Sequence, residues 1–392
     1  MIGRFVALLA VAPWLGAPVS AAPVPPAAIS PAPRAQDAIA TATRLAEWQL
    51  AHMADAKHVS RVTTETANPR AWEQAVFWVG MTALADAGAP RSIGEAVLAM
   101  GRANGWMPAA RPYHADDLVI TQSYLWAARH GAGAAASLPT RARFDYILAN
   151  PPRVGLAYFQ PPSGYGDTEC LQRWCWCDAL FMAPPAMIEL SRQTGDRRYR
   201  DYALREFWAT TDFLFDPAAH LYYRDSRFFE RRDERQRKQF WSRGNGWVFA
   251  AMARIIPLLP KGDADRVRME RLFVEMAATL KGLQKPDGYW APSLLAPEDS
   301  PPESSGTGFY TYGMAWGIKA GLLDRNGYEP TMRRGWDALV RSIQPDGRLG
   351  WVQQVSDRPE RVAAEDTQFY GVGAFLLAAS AVAELDRDHL AG

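Results

Sequence analysis

The stretch Trp174-Cys-Trp-Cys-Asp178-Ala-Leu-Phe-Met182-Ala-Pro-Pro185 starts as an aromatic and acidic cluster and continues with apolar residues three and four apart. That spacing predicts a helix over 177–194, because side chains at those intervals share one face. The cluster therefore sits at a helix start. Working outward, the same arrangement recurs. Trp72-Glu73 opens a helix predicted over 70–87, His114-Ala-Asp-Asp117 one over 115–130, and Phe240-Trp-Ser-Arg-Gly-Asn-Gly-Trp247 one over 244–259. Glu303-Ser-Ser-Gly-Thr307 precedes a helix over 309–323, and Glu365-Asp366 one over 367–385. The helices predicted between them, over 36–55, 91–104, 140–149, 197–214, 263–283 and 329–343, open on no such cluster. Asn150-Pro-Pro152, Pro260-Lys-Gly262, Pro286-Asp-Gly288 and Pro345-Asp-Gly347 supply the breaks.

Few segments alternate in polarity, so the fold class is all-α. Twelve helices with every second one opening on a cluster predict six helical hairpins, the alternate helices forming the inner ring of a toroid. The amino-terminal ends of that ring would then point to one mouth. Helix starts carry unpaired N–H groups and a partial positive charge, so such a mouth suits an anionic ligand such as a carboxylate. Each acid taken singly is equally an ordinary capping residue. Six clusters in phase point to a common pocket.

Composition narrows the alternatives. With 48% hydrophobic residues the chain can bury a large core, and 43 Lys+Arg against 42 Asp+Glu give no basic field for a nucleic-acid backbone. Residues 1–22 have the layout of a secretory signal peptide: Arg4, an apolar run from Phe5 to Leu15, then small residues to Ala22. Residues 23–35 read as a Pro/Ala-rich linker and 36–388 as the catalytic domain. No later segment reads as a membrane span, so the expectation is an exported, monomeric protein, periplasmic or secreted, with no membrane contact once the signal is removed. Cys170, Cys175 and Cys177 lack the spacing of a zinc site, no metal or organic cofactor is implied, and a disulfide among the three stays open.

The candidate chemistry is that of a saccharide pocket. Aromatic faces stack on sugar rings, while acids and arginines hold hydroxyls and carboxylates. Of the 15 Trp, Trp78, Trp126, Trp208 and Trp336 fall within helical segments and read as core, whereas Trp174, Trp176, Trp241, Trp247 and Trp290 flank Gly, Pro or charges and read as pocket. Candidate acids are Asp116, Asp117, Asp178 and Glu303, with Asp366 behind them, and His114 is the one histidine within a cluster. A carboxyl buried against tryptophans can keep its proton at neutral pH, and Asp178 has those neighbours. There is no G-x-S-x-G elbow, no H-E-x-x-H and no phosphate loop.

The motifs Trp176-Cys-Asp178-Ala-Leu-Phe-Met182-Ala-Pro-Pro185, Trp241-Ser-Arg-Gly-Asn-Gly-Trp247, Ala115-Asp-Asp117, Tyr312-Gly313 with Trp316-Gly317, and Gly371-Val-Gly-Ala-Phe-Leu-Leu377 together resemble glycoside hydrolase family 105. This is the family of unsaturated rhamnogalacturonyl and related uronyl hydrolases. The resemblance runs from about Trp72 to Leu377 and implies an (α/α)6 barrel. It also implies removal of a 4,5-unsaturated uronic acid from the non-reducing end of a lyase-generated oligosaccharide, by protonation of the enol ether at C4 and addition of water at C5. On this resemblance Asp178 is the proton donor and Asp116 the second carboxylate, with Asp117 as the alternative one residue on. Trp176, Arg243 and Trp247 match positions that contact the unsaturated ring or its carboxylate, and His114, Trp241 and Glu303 are expected beside them. Where many relatives read Leu-Tyr-Tyr-His, this chain has Leu221-Tyr-Tyr-Arg224, so a permanent cation is expected to strengthen carboxylate recognition. An inverting glycosidase acting on a saturated sugar, and a non-catalytic oligosaccharide-binding protein, are the competing readings.

Overall fold

The computed structural model describes residues 35–54, 68–159, 168–298 and 300–391; the expected signal peptide and nearly all of the linker lie outside these. The twelve expected helical elements are all present. They are α1 (Ala35–Ala51), α2 (Trp72–Asp86), α3 (Arg91–Ala103), α4 (Ile120–Ala127), α5 (Leu138–Ala149), α6 (Ala179–Met182 and Pro184–Thr194, interrupted at Ala183) and α7 (Arg197–Leu214). After them come α8 (Ser242–Ile255), α9 (Ala264–Gly282), α10 (Ser304–Lys319), α11 (Arg325–Arg341) and α12 (Phe369–Ala391).

The even-numbered helices pack in sequence, α2 on α4, α4 on α6, α6 on α8, α8 on α10 and α10 on α12, and α12 closes the circle against α2. This is the (α/α)6 barrel. Odd-numbered helices lie outside it: α1 on α12, α3 on α2 and α4, α5 on α4 and α7, α7 on α6, α9 on α8 and α11 on α10. Burial follows from composition. Every residue of α10 from Ser304 to Ala315 is buried, whereas α3 hides Ile93, Val97, Met100 and Gly101 and leaves the opposite face to solvent. Contrary to expectation, Phe369–Asp388 in α12 is long and apolar enough to span a membrane, but 94% of its apolar window is buried as the core helix of this ring. Small residues make the closing seam tight: a Cβ on Gly373 would stand 2.4 Å from the Val76 oxygen of α2.

Several boundaries depart from expectation, the twelfth helix running to Ala391 rather than 385. The tenth helix starts at Ser304 rather than 309, because Gly306 and Gly308 serve packing and not a loop; a Cβ on Gly306 would meet Ser242 Oγ at 2.4 Å. The fourth begins as a separate 3-10 turn over Ala115–Asp117 and ends in a π-turn over Ala128–Ala132. The connection from α7 to α8 also contains a short antiparallel hairpin, β1 (Phe215–Asp216) with β2 (Leu221–Tyr222), which the all-helical reading did not include.

Candidate active site

At the amino-terminal end of the inner ring lies a half-open cavity of about 600 Å³ lined by Trp72, Asp116, Trp176, Asp178, Met182, Arg224, Trp241, Val355, Ser356, Asp357 and Glu360. Five of the ten expected site residues line it: Asp116, Trp176, Asp178, Arg224 and Trp241. Each is delivered by an element end. Asp116 sits in the 3-10 turn, where its amide donates to His114 Nδ1 at 3.3 Å. Trp176 and Asp178 occupy the irregular approach to α6, pinned where the Cys177 amide donates to the Arg224 carbonyl at 2.8 Å. Trp241 is the N-cap residue of α8, and its indole N–H donates to Gln353 Oε1 at 3.0 Å.

Electrostatically the cavity is unusual. Burial raises the pKa of Asp116 to about 8, opposed by the positive charge of Arg111 and reinforced by the negative charge of Asp178. Burial also raises that of Asp178, against the pull of Arg224 and Arg243. Arg224 Nε lies 3.6 Å from Asp178 Oδ2, while its Nη1 donates to Asp225 at 2.8 Å. Nε itself is buried without a hydrogen-bond partner. The site thus holds two carboxyls that resist ionisation and a guanidinium whose buried Nε has no hydrogen-bond partner.

The remaining expected residues are placed differently. Asp117 gives both oxygens to Arg111, accepting from its backbone amide at 2.6 Å and from Nη2 at 2.7 Å, so it anchors the turn and leaves the cavity to Asp116. His114 backs the wall, its ring 4.9 Å from that of Trp176, and burial lowers its pKa to about 3, leaving it neutral. Glu303 is fully buried and caps α10 through the amides of Ser305 and Gly306, so the ordinary capping role prevails. Arg243 is 1% exposed, held between the rings of Trp241 and Tyr370 at 4.4 and 4.7 Å, and donates to the carbonyls of Gln353 and Gln354. It braces the loop between α11 and α12 instead of lining the cavity. Trp247 packs under the floor against Phe181, Phe309 and Trp72. Trp174 and Trp290 are likewise core, their indole N–H groups donating to the carbonyls of Tyr113 and Leu280.

Sequence reasoning missed Trp72 as a wall, Met182, and the whole contribution of 355–360. Trp72 was flagged by its place at a helix start, beside Glu73. Val355-Ser-Asp357 carries no comparable signal, since it lies in a loop far from any predicted helix end. Asp366 stays behind the site, accepting from the Ala363 amide. Among the three cysteines, Cys170 and Cys175 form a disulfide and Cys177 is a buried free thiol.

Comparison with known proteins agrees with this architecture. The family described as Glycosyl Hydrolase Family 88 matches residues 41–385. The chain is 40% identical over 351 residues to the unsaturated 3S-rhamnoglycuronyl hydrolase of Alteromonas sp. (strain LOR), covering 87% of this chain and 85% of that one. Among solved structures, a glycosyl hydrolase family 88 protein from Bacteroides vulgatus is 26% identical with a TM-score of 0.77, covering 90% of this chain and 100% of the other. A possible member of the GH105 family from Salmonella enterica shares the fold at 16% identity and a TM-score of 0.73, covering 92% and 96% of the two chains. An unbroken match over nearly the whole barrel leaves no room for a different assignment: the chain belongs to glycosyl hydrolase family 88 and is a glycoside hydrolase.

Proposed function

We propose that this enzyme removes a 4,5-unsaturated uronyl group from the non-reducing end of an oligosaccharide by hydrating its double bond. The observation that carries the proposal is the convergence of Asp116, Asp178 and Arg224 on one cavity walled by Trp72, Trp176 and Trp241. A terminal uronate brings a carboxylate, a flat conjugated ring and an atom to be protonated. The guanidinium of Arg224, which lines the cavity, receives the carboxylate, the indoles face the ring, and a protonated carboxyl supplies the proton.

In the proposed sequence Asp178 delivers its proton to C4, and the positive charge developing at C5 is shared with the ring oxygen. Water adds at C5, giving up a proton to the carboxylate that Asp178 has become, so the catalyst ends as it began. The product is a hemiketal at C5. Its ring bond to oxygen breaks, C5 becomes a ketone, and the hemiacetal left at C1 expels the neighbouring sugar. Asp116, kept neutral by burial, adds no second negative charge beside the substrate carboxylate and can donate a hydrogen bond to the sugar. The relative in Alteromonas is named for a rhamnoglycuronyl unit, which favours rhamnose as the neighbouring sugar here. The Cys170–Cys175 disulfide fits an exported protein, which we propose acts as a monomer in the periplasm or outside the cell.

Purified protein incubated with unsaturated disaccharides from several polysaccharide lyases tests the reaction. The ultraviolet absorbance of the conjugated double bond should disappear with at least one of them. Asp178→Asn should lose on the order of 10²-fold or more in kcat while still binding that substrate. An undiminished chromophore alongside release of a saturated sugar would instead favour the inverting glycosidase.

A further inference from the structure

Asp178 is approached from four elements: Arg224 after the hairpin, Arg243 in α8, Asp116 in the 3-10 turn, and its own neighbour Cys177. Two of these address the same oxygen. Cys177 Sγ donates to Asp178 Oδ2 at 3.6 Å, and Arg224 Nε lies 3.6 Å from that oxygen as well. The thiol is held in place by its backbone and its surroundings. Its backbone amide is tied to the Arg224 carbonyl, its sulfur faces the start of α8, where a Cβ on Gly244 would lie 3.1 Å away, and it is fully buried. Burial raises the pKa of this thiol well above its ordinary value, so it stays an S–H donor at neutral pH.

We infer that Cys177 is a positioning residue that divides the two oxygens of Asp178: Oδ2 is the permanent acceptor side, and Oδ1 is the oxygen that carries the transferable proton. A carboxylic acid has one O–H, and the oxygen already accepting from a thiol and facing a guanidinium is the poorer place for it. The division serves both halves of the proposed cycle. It presents the proton from a fixed oxygen, and it stabilises the carboxylate formed once the proton has left. The consequence for titration has a definite sign. A donor to the charged form lowers the pKa of the acid, so removing the thiol raises it. The inference assigns a role within the proposed hydration, but the interaction itself exists without substrate.

Infrared spectroscopy of the substrate-free enzyme tests it, so that failure of the proposed reaction leaves the outcome readable. Cys177 is the sole thiol once Cys170 and Cys175 are paired, and its S–H stretch is resolvable in the wild type. The band should move to lower frequency as Asp178 ionises and stay fixed with pH in Asp178→Asn. The Asp178 carboxyl band, assigned by its absence in Asp178→Asn, should titrate higher in Cys177→Ala by roughly half a unit, the shift expected of a weak donor. Cys177→Ser, which restores a donor, should return it toward the wild-type midpoint. An S–H band indifferent to Asp178 ionisation, or an Asp178 midpoint unchanged in a folded Cys177→Ala, overturns the assignment. The S–H measurement needs no cysteine variant, so a failure of Cys177→Ala to fold leaves it decisive.

Discussion

Arg243 Nη1 donates to the main-chain oxygen of Gln353 at 2.8 Å, tying the start of α8 to the loop between α11 and α12. Val355, Ser356 and Asp357 of that loop form one wall of the cavity. Removing the guanidinium leaves the Gln354 carbonyl without its donor and the Gln353 carbonyl with the Tyr370 hydroxyl alone, and it frees the wall. Arg243→Ala should therefore destabilise the fold by about 2–4 kcal/mol and raise KM more than it lowers kcat. Arg243→Lys keeps a charge but not the planar fork, and should restore only part of KM. Steady-state kinetics with thermal melts checks both; a loss confined to kcat would return Arg243 to direct contact with the reacting group.

The neighbouring acids Asp116 and Asp117 should separate cleanly on substitution. Asp116→Ala removes the hydrogen-bonding group that lines the cavity and should cost on the order of 10-fold to 10³-fold in kcat/KM with the fold intact. Asp117→Asn weakens the bidentate pair with Arg111 and should act through stability, by about 1–2 kcal/mol, with smaller kinetic effect. Comparing the melting temperature and kcat/KM of the two variants decides between them, and equal kinetic losses would contradict the division.

Stability should depend on the protonation of Asp116. Its pKa is about 8 in the folded protein and near 3.8 when unfolded, so the folded state binds the extra proton between these values. Stability from this group is therefore fully present below the unfolded value and is lost as pH rises toward 8. Asn cannot ionise, so Asp116→Asn should gain on wild type as pH rises from 5 to 8, by on the order of 2 kcal/mol at the upper end. Denaturant titrations at a series of pH values measure it; a constant difference between the two proteins would show that Asp116 ionises freely in the fold. His114 contributes with the opposite slope. Its folded pKa of about 3 lies below the unfolded value, so it adds stability as pH rises from 3 to about 6.5.

Glu303 makes a contrasting case. Its carboxylate caps α10, accepting from the amides of Ser305 and Gly306 at 2.9 and 2.7 Å, and does not line the cavity. Glu303→Ala should lower stability by about 1–3 kcal/mol through unsatisfied amides in a buried helix end. At a temperature where the variant remains folded, its KM should rise less than that of Arg243→Ala, because Glu303 reaches the wall loop only by accepting from the Gln353 amide at 3.3 Å. A large KM change under those conditions would put Glu303 back at the substrate.

What could be read from the residues was the barrel and its polarity. Alternation of clustered and unclustered helix starts gives the ring, because an inner helix has only its amino-terminal end free to reach the mouth. Identifying which member of each cluster faces inward was beyond that reading. Asp116 and Asp117 differ only in the direction a 3-10 turn points them, and Arg111, six residues away from Asp117, decides the matter by claiming it. Arg243 and Trp247 begin the same helix as Trp241, yet they turn toward the loop and the floor, since rotation about a helix start depends on what packs beneath it. The 355–360 wall was illegible for a different reason. A loop held by distant partners, here Arg243 and Arg227, has no local pattern of its own.

Closure of the circle by α12 against α2 makes the order of synthesis matter for this enzyme. The two elements of that seam stand almost three hundred positions apart, so the seam can form only when the last helix has left the ribosome. Tyr370, on which Trp72 stacks at 4.9 Å and over which Arg243 lies, arrives in that final segment. The growing polypeptide thus carries Asp116, Asp178 and Arg224 long before it has a mouth to put them in, and its competence to bind sugar should appear abruptly with the closing segment.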